Sequence, residues 1–238
     1  DAMRFTLCKM TTNTQDVRLP VVFDKEKNCN TSPKFDEGRN FVTKVFNATR
    51  FVMMNLEESG GQGGGGASAA APSLADRWIL SRLARLTERV NTAIKDYDYS
   101  GYAEAMYQFL WWDFCDWYVE AIKPTVKTDA RQRGVVKGVL DAALRLLHPI
   151  CPYVTEVLHE SLREYSTASV PGLDPGADRG LVCVSDWPKP APSLIDEAAE
   201  KEVEWLRSMT ESIRQVRAAQ GVEPKRRIVL HTDAATLA

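Results

Sequence analysis

Gly38-Arg39-Asn40-Phe41-Val42-Thr43-Lys44-Val45-Phe46-Asn47-Ala48-Thr49-Arg50-Phe51 is helical by the spacing of its apolar residues. At about 100° per residue, Phe41, Val45, Ala48, Val52 and Leu56 share one stripe, the face a helix buries against a core. Phe51 falls off that stripe, on the side predicted to meet water. Asn47 and Asn55 are one turn away, Lys44 is two turns away, and Thr43 and Arg50 lie beside it. Between Gly38 and Leu56 stand three cations, Arg39, Lys44 and Arg50, and no acid. A flat ring among amides and cations meets the needs of an unpaired base: a stacking face, hydrogen-bonding groups for its edges and charge for phosphates. The competing reading packs Phe51 under residues 24–35 and leaves the cations solvated. Periodicity alone does not separate the two.

This helix is predicted over residues 36–56, with Asp36 as its N-cap and Glu37 in its first turn. Before it, residues 1–12 read as a short helix, 17–23 as an extended segment broken by Pro20, and 24–35 as a polar loop. After it, residues 60–71 are low in complexity, and 59–73 read as a flexible linker. They lack the preceding strand and the G-x-x-x-x-G-K-[ST] order of a phosphate loop. Pro72 and Ser73 then open a helix in which Ile79, Leu83, Leu86, Val90, Ile94 and Tyr97 recur at steps of three or four. Ser100-Gly101 is expected to break it. A second helix over 102–122 carries Met106, Phe109, Leu110, Phe114, Trp117, Tyr118 and Ile122. A third, over 131–147, aligns Val136, Leu140, Ala143 and Leu147. A fourth begins near Pro152 with Val154, Val157, Leu158 and Leu162.

Short connections between long amphipathic helices predict an all-α fold, an antiparallel helix bundle. Residues 166–193 are rich in Pro and Gly, with a strand-like run at Leu181-Val182-Cys183-Val184-Ser185. The last helix, over 194–220, stops at Gly221. Pro224-Lys225-Arg226-Arg227 then leads into a strand at 228–232.

Apolar residues form 44% of the 238, enough for a core. No apolar run approaches the roughly 20 residues of a membrane span, and no signal-like segment opens the sequence. A net charge of −2 argues against general electrostatic binding of nucleic acid but leaves room for local patches. Cys8, Cys29, Cys115, Cys151 and Cys183 are scattered without a C-x-x-C pair, the pattern of free thiols in a reducing cytoplasm and not of a zinc site. His148, His159 and His231 form no H-x-G-H element, and no nucleophile–base set is suggested by spacing, so neither catalytic residues nor metal ligands are expected. Arg82, Arg85 and Arg89 form a basic stripe near Asp76 and Glu88, expected to pair on the surface. Phe114 and Trp117 are expected in the core, with Trp111 or Trp112 partly exposed. Arg214, Arg217, Lys225, Arg226 and Arg227, opposed by Glu223, either touch an RNA backbone or solvate a junction.

The pattern Gly-Arg-Asn-Phe, then Lys44, then Phe-Asn-Ala-Thr-Arg-Phe, resembles the first helix of the anticodon-binding domain of valyl-tRNA synthetases. Asp1-Ala2-Met3-Arg4-Phe5 is similar to the element that follows the K-M-S-K-S loop in that family. Further matches in family order are Thr14-Gln15-Asp16-Val17-Arg18, Asn30-Thr31-Ser32-Pro33-Lys34-Phe35, Phe114-Cys115-Asp116-Trp117-Tyr118 and Leu147-His148-Pro149-Ile150-Cys151-Pro152-Tyr153. Lys9-Met10-Thr11-Thr12 looks like the start of a K-M-S-K-S loop. It lacks the second lysine and lies on the wrong side of Asp1–Arg4.

The resemblance implies a connector over 1–35, a helical anticodon-binding domain over 36–221 and the start of a further unit over 222–238. It implies that Lys44, Arg50 and Phe51 approach the anticodon, with Arg39, Asn47, Asn55 and Arg217 as further tRNA contacts. The implied partner is the anticodon stem-loop of valine tRNA, in the cytoplasm and away from membranes. ATP with Mg and valine would react on a catalytic domain elsewhere in the same polypeptide, which would also carry an editing domain; no cofactor is implied for this stretch. The absent initiator methionine and the strand-like end fit a piece of a longer protein. The rivals are the bundle of an isoleucyl or leucyl enzyme, and a helical protein-interaction module that binds no RNA. The glycine-rich insert departs from the short loop expected of the family.

Overall fold

The computed structural model describes residues 1–12, 16–25, 28–57, 71–174, 176–223 and 226–229. The chain begins with α1 (Ala2–Met10), a hairpin of β1 (Val22–Asp24) and β2 (Cys29–Thr31), and α2 (Lys34–Glu57). Then follow α3 (Leu74–Lys95), α4 (Tyr99–Tyr107), a π-helical segment (Gln108–Tyr118), α5 (Val119–Ile122), α6 (Ala130–Leu147) and α7 (Pro152–Arg163). A short pair, β3 (Leu173–Asp174) and β4 (Lys189–Pro190), brackets a 3-10 turn at Val182–Val184. A second 3-10 turn, Pro192–Leu194, leads into α8 (Glu197–Ala219). The class is all-α. Two compact units are present, Asp1–Glu200 and Lys201–Ala238, with the boundary inside α8. The glycine-rich stretch read as a linker lies almost wholly outside the described residues. Among those residues, no helix is long and apolar enough to cross a membrane.

Helix starts follow from side chains that accept the first unpaired N–H groups. Ser73 Oγ accepts from the Asp76 amide at 3.1 Å, Asp98 from Gly101 at 2.8 Å, and Asp129 from Arg131 and Gln132. Contact order sets helix directions. Asp76 meets Tyr118 and Arg82 meets Asp113, so α3 runs against the α4–α5 stretch. Phe41 meets Tyr107, Lys44 meets Asp116 and Lys123 Nζ lies 5.9 Å from the Phe51 ring, so α2 runs alongside that stretch in the same sense. The N-terminal helix belongs to the same packing. Phe5 stacks on Phe41 at 4.2 Å, Arg4 donates to the carbonyls of Pro149 and Ile150, and the Asp1 carboxylate accepts from the Val154 amide at 2.6 Å. Two sequence elements far apart, Asp1–Arg4 and the corner before α7, are thereby joined.

Several expectations need correction. Helix α2 starts at Lys34, so Asp36 lies inside its first turn; Ser32 Oγ accepts from the Lys34 amide at 3.4 Å. The polar loop at 24–35 contains half of a hairpin, with Val22 opposite Thr31 and Asp24 opposite Cys29. The break after α3 falls at Asp96–Asp98, where Tyr97 takes a φ of 55°, and Ser100-Gly101 sit in the first turn of α4. The strand-like run at 181–185 is a 3-10 turn, because the Ser185 amide bonds back to Leu181 and Val182 and, among the described residues, no strand pairs with it. Asp196 caps α8 through the Ala199 amide at 2.9 Å and moves its start to Glu197. Val157 is exposed while Thr155 and His159 are buried. Ile228 and Val229 form no strand, and residues 230–238 lie outside the described set.

The π-helical segment explains one further difference. Its i→i+5 bonds, such as Val119 N–H to Phe114 O, widen the turn, so residues one turn apart are four or five apart in sequence. Leu110, Phe114 and Tyr118 share the core, and Trp117, aligned with them at α-helical spacing, is only half-buried.

Candidate nucleic-acid interface

Burial of Phe41, Val45, Thr49, Val52 and Leu56 fixes the rotation of α2 and decides which side chains remain outside. Arg39, Thr43, Phe46, Asn47, Arg50 and Met54 are exposed. Arg50 has no acidic partner among the described residues. Asn47 stands three residues before it, on the same face. Arg39 pairs with Asp36 at 3.0 Å, both well exposed, an arrangement of small energetic value that an incoming phosphate can displace.

Lys44 and Phe51 line the flank of α2 that faces the π-helical segment and α5. An aromatic ladder runs there: Phe5 on Phe41, Phe41 against Tyr107 at 5.5 Å, and Tyr107 on Trp111 at 5.3 Å. Lys44 Nζ caps it, 4.0 Å from the Trp111 ring centroid and 2.5 Å from Asp116 Oδ1. Beside this pair, burial raises the Cys115 thiol to about 12, with Lys44 pulling it down and Asp116 pushing it up. Phe51 is partly buried, not on the open face that the periodicity assigned to it. Trp112 is exposed and Trp111 is covered in part by Lys44, in keeping with the expectation for that pair.

Asn55 does not belong to the face. It is 5% exposed, and its Nδ2 donates to the Phe51 carbonyl at 2.7 Å. Three residues after Val52 and one before Leu56, it lies at the edge of the buried stripe, so a base edge has no access to it. Arg217 lies in the second unit, at the C-terminal end of α8. Its guanidinium donates to the carbonyls of Glu223 at 2.7 Å and Arg226 at 3.0 Å. It braces the chain after a Schellman turn in which Gly221 N–H bonds Ala218 O and Val222 N–H bonds Arg217 O. Pro224 and Lys225 of the basic run lie outside the described residues. The stripe on α3 does pair, but across elements: Arg82 with Asp113 at 2.8 Å and Arg85 with Glu200 at 2.7 Å, not with Asp76 and Glu88.

Sequence reasoning passed over Phe46. It is 41% exposed on α2, one turn before Arg50, an aromatic–cation pair at i,i+4. Its position opposite the Phe41/Val45 stripe was the available signal.

The anticodon-binding domain family of tRNA ligases matches residues 76–232. The chain belongs to that family. The chain is also similar to part of each of several longer proteins. It is 36% identical over 233 residues to the valine–tRNA ligase of Thermotoga maritima, covering 97% of this chain and 24% of that one. It is 34% identical over 239 residues to that of Pseudothermotoga lettingae, covering 100% and 24%. It is 34% identical over 235 residues to that of Synechocystis sp., covering 94% and 24%. The chain therefore spans about a quarter of the length of the curated relatives it matches.

Proposed function

We propose that this chain is the tRNA-binding part of a valine–tRNA ligase and docks the anticodon stem-loop of valine tRNA on the exposed face of α2. The observation that carries the reading is Arg50, exposed and without an acidic partner among the described residues, beside Asn47 and between Phe46 and Phe51, on a helix that packs against the residues the anticodon-binding family matches. Unstacked loop bases present their faces to such rings and their edges to such amides, and the cation answers a phosphate or a base. Arg39, about three turns before Arg50, adds a second cation once a phosphate displaces Asp36. Lys44 contributes through its flank position, and Arg217, in the second unit, is a further candidate tRNA contact. In the whole enzyme, ATP with Mg and valine react on a catalytic domain of the same polypeptide, which also carries editing, in the cytoplasm. The present stretch supplies affinity and identity for that reaction, and alone it forms no aminoacyl-adenylate.

The test is binding of a valine anticodon stem-loop against one changed only in its anticodon bases. Base stacking is worth roughly 1–3 kcal/mol, so Phe51→Ala is expected to weaken the cognate complex by about ten- to hundredfold and the altered one far less. Arg50→Ala is expected to weaken binding and, where the cation meets phosphate, to reduce the log–log salt slope by about one. Folded variants that bind the cognate stem-loop unchanged would return this face to a protein-interaction role.

A further inference from the structure

Away from α2, three donor groups of different chemistry meet. His148 closes the C-terminal end of α6, Glu156 lies in the second turn of α7, and Cys183 lies in the 3-10 turn at Val182–Val184. One ligand atom from each is within 4.8 Å of the other two. Imidazole nitrogen, carboxylate oxygen and thiol sulfur are the donors zinc takes, and three protein ligands leave one tetrahedral position for water.

Two of these side chains are held in place by neighbours of the others. His148 Nδ1 lies 2.8 Å from Thr155 Oγ1, and the Thr155 hydroxyl donates to the Cys151 carbonyl at 2.7 Å. With its proton so directed, the hydroxyl accepts from Nδ1–H, and Nε2 keeps its lone pair, the arrangement that orients a metal-binding imidazole. Thr155 is the residue before Glu156. Both Glu156 oxygens accept from the Val182 amide at 3.1 Å, and Val182 is the residue before Cys183. The carboxylate is thus fixed beside the thiol and retains lone pairs for a further partner.

We propose that His148, Glu156 and Cys183 bind one divalent cation of the zinc class, which fastens the loop carrying Cys183 to the corner between α6 and α7. Zinc bond lengths of about 2.0–2.3 Å imply donor separations of about 3.3–3.8 Å. Side-chain movement of about 1 Å therefore completes the site, and the exposed Cys183 is free to make it. On coordination the S–H bond breaks, the thiolate bonds the metal and the proton passes to solvent, so affinity rises with pH. A thiolate in the set disfavours magnesium and calcium. Sequence spacing held no sign of the site because its donors come from three separate elements.

The experiment uses the 238-residue chain, freed of metal by a chelator and titrated with zinc(II) against a chromophoric competitor, and in parallel with cobalt(II). One equivalent of zinc is expected to bind and to raise Tm. Cobalt is expected to show a thiolate-to-metal charge-transfer band. Cys183→Ser should remove the band and the Tm rise, and should weaken zinc by about hundredfold or more, beyond the 10–100-fold of a lost supporting residue. Cys29→Ser, at the other exposed thiol, should change neither. Glu156→Gln, checked for folding by circular dichroism, should weaken zinc while keeping the band. No stoichiometric uptake, or a band that survives Cys183→Ser, would overturn the proposal.

Discussion

Lys44 makes two interactions at once, an ion pair with Asp116 and a cation–π contact with Trp111, both partly shielded from solvent. Arg50, six residues on, makes neither kind of contact among the described residues. The two cations therefore separate by experiment. Lys44→Ala removes a cation–π contact of about 0.5–1 kcal/mol and an ion pair of about 0–1 kcal/mol, so thermal unfolding should show a destabilisation of about 1 kcal/mol. Arg50→Ala should leave stability within about 0.5 kcal/mol, as surface substitutions do, and should be felt in stem-loop binding. A loss of stability in Arg50→Ala equal to that of Lys44→Ala would show that this surface serves the fold. Helical spacing made Arg39, Asn47 and Arg50 legible as exposed groups. It misassigned Asn55 because the buried stripe is wide enough to take in a polar residue beside Leu56. It had no means of showing that Lys44 is engaged, since Asp116 and Trp111 approach from a distant part of the chain.

Between elements, α1 and α2 come close together at Gly38. A Cβ there would stand 2.3 Å from the Ala2 carbonyl oxygen and 2.5 Å from Thr6 Oγ1, so α1 can lie on α2 only over a glycine. Gly38→Ala would gain up to about 1 kcal/mol of helix propensity. The clash with backbone outweighs it, at about 1–3 kcal/mol for overpacking, and a urea-unfolding midpoint below wild type is the expected result. A raised midpoint would mean that α1 is not docked as described. Tyr118 tests the α3 contact in the same way. Its hydroxyl donates to Asp76 Oδ1 at 2.8 Å while the exposed Ser73 Oγ donates to Oδ2 at 2.7 Å, at the start of α3 where Asp76 and Tyr118 are buried. Tyr118→Phe leaves a buried carboxylate oxygen short of a donor and should cost about 1–3 kcal/mol, whereas Ser73→Ala should cost about 1 kcal/mol as a lost cap. Neither the glycine contact nor this three-residue network is written in local periodicity. The same holds for the π-helical segment, whose i→i+5 bonds rotate Trp117 away from the place that a 3.6-residue period assigns to it.

Over the whole molecule, the number and order of long helices followed from apolar spacing and from Pro72-Ser73 and Gly221 as start and stop signals. The hairpin at Val22–Thr31 and the 3-10 turn at Val182–Val184 did not, because short segments are settled by partners and not by their own residues. The packing of that helical core also fixes how stability responds to base. Burial pushes the thiols of Cys115 and Cys151 up to about 12 from 9.0. Burial raises the Tyr102 phenol above 10.0, and burial followed by Asp76 raises that of Tyr118. In the unfolded chain these groups ionise near their ordinary values, about 9 for thiols and 10 for phenols. Between those values and the folded ones the unfolded chain holds fewer protons than the folded one, so stability falls as pH rises. The contribution is therefore whole below about pH 9 and is lost progressively up to about pH 12. Urea midpoints measured from pH 7 to 11 should be level at first and then decline. Cys151→Ala, which removes one of the groups, should start from a lower midpoint because of the cavity it leaves, yet decline less steeply above pH 9. An unchanged slope in that variant would show that Cys151 ionises as readily folded as unfolded, which a side chain at 0% exposure should not do.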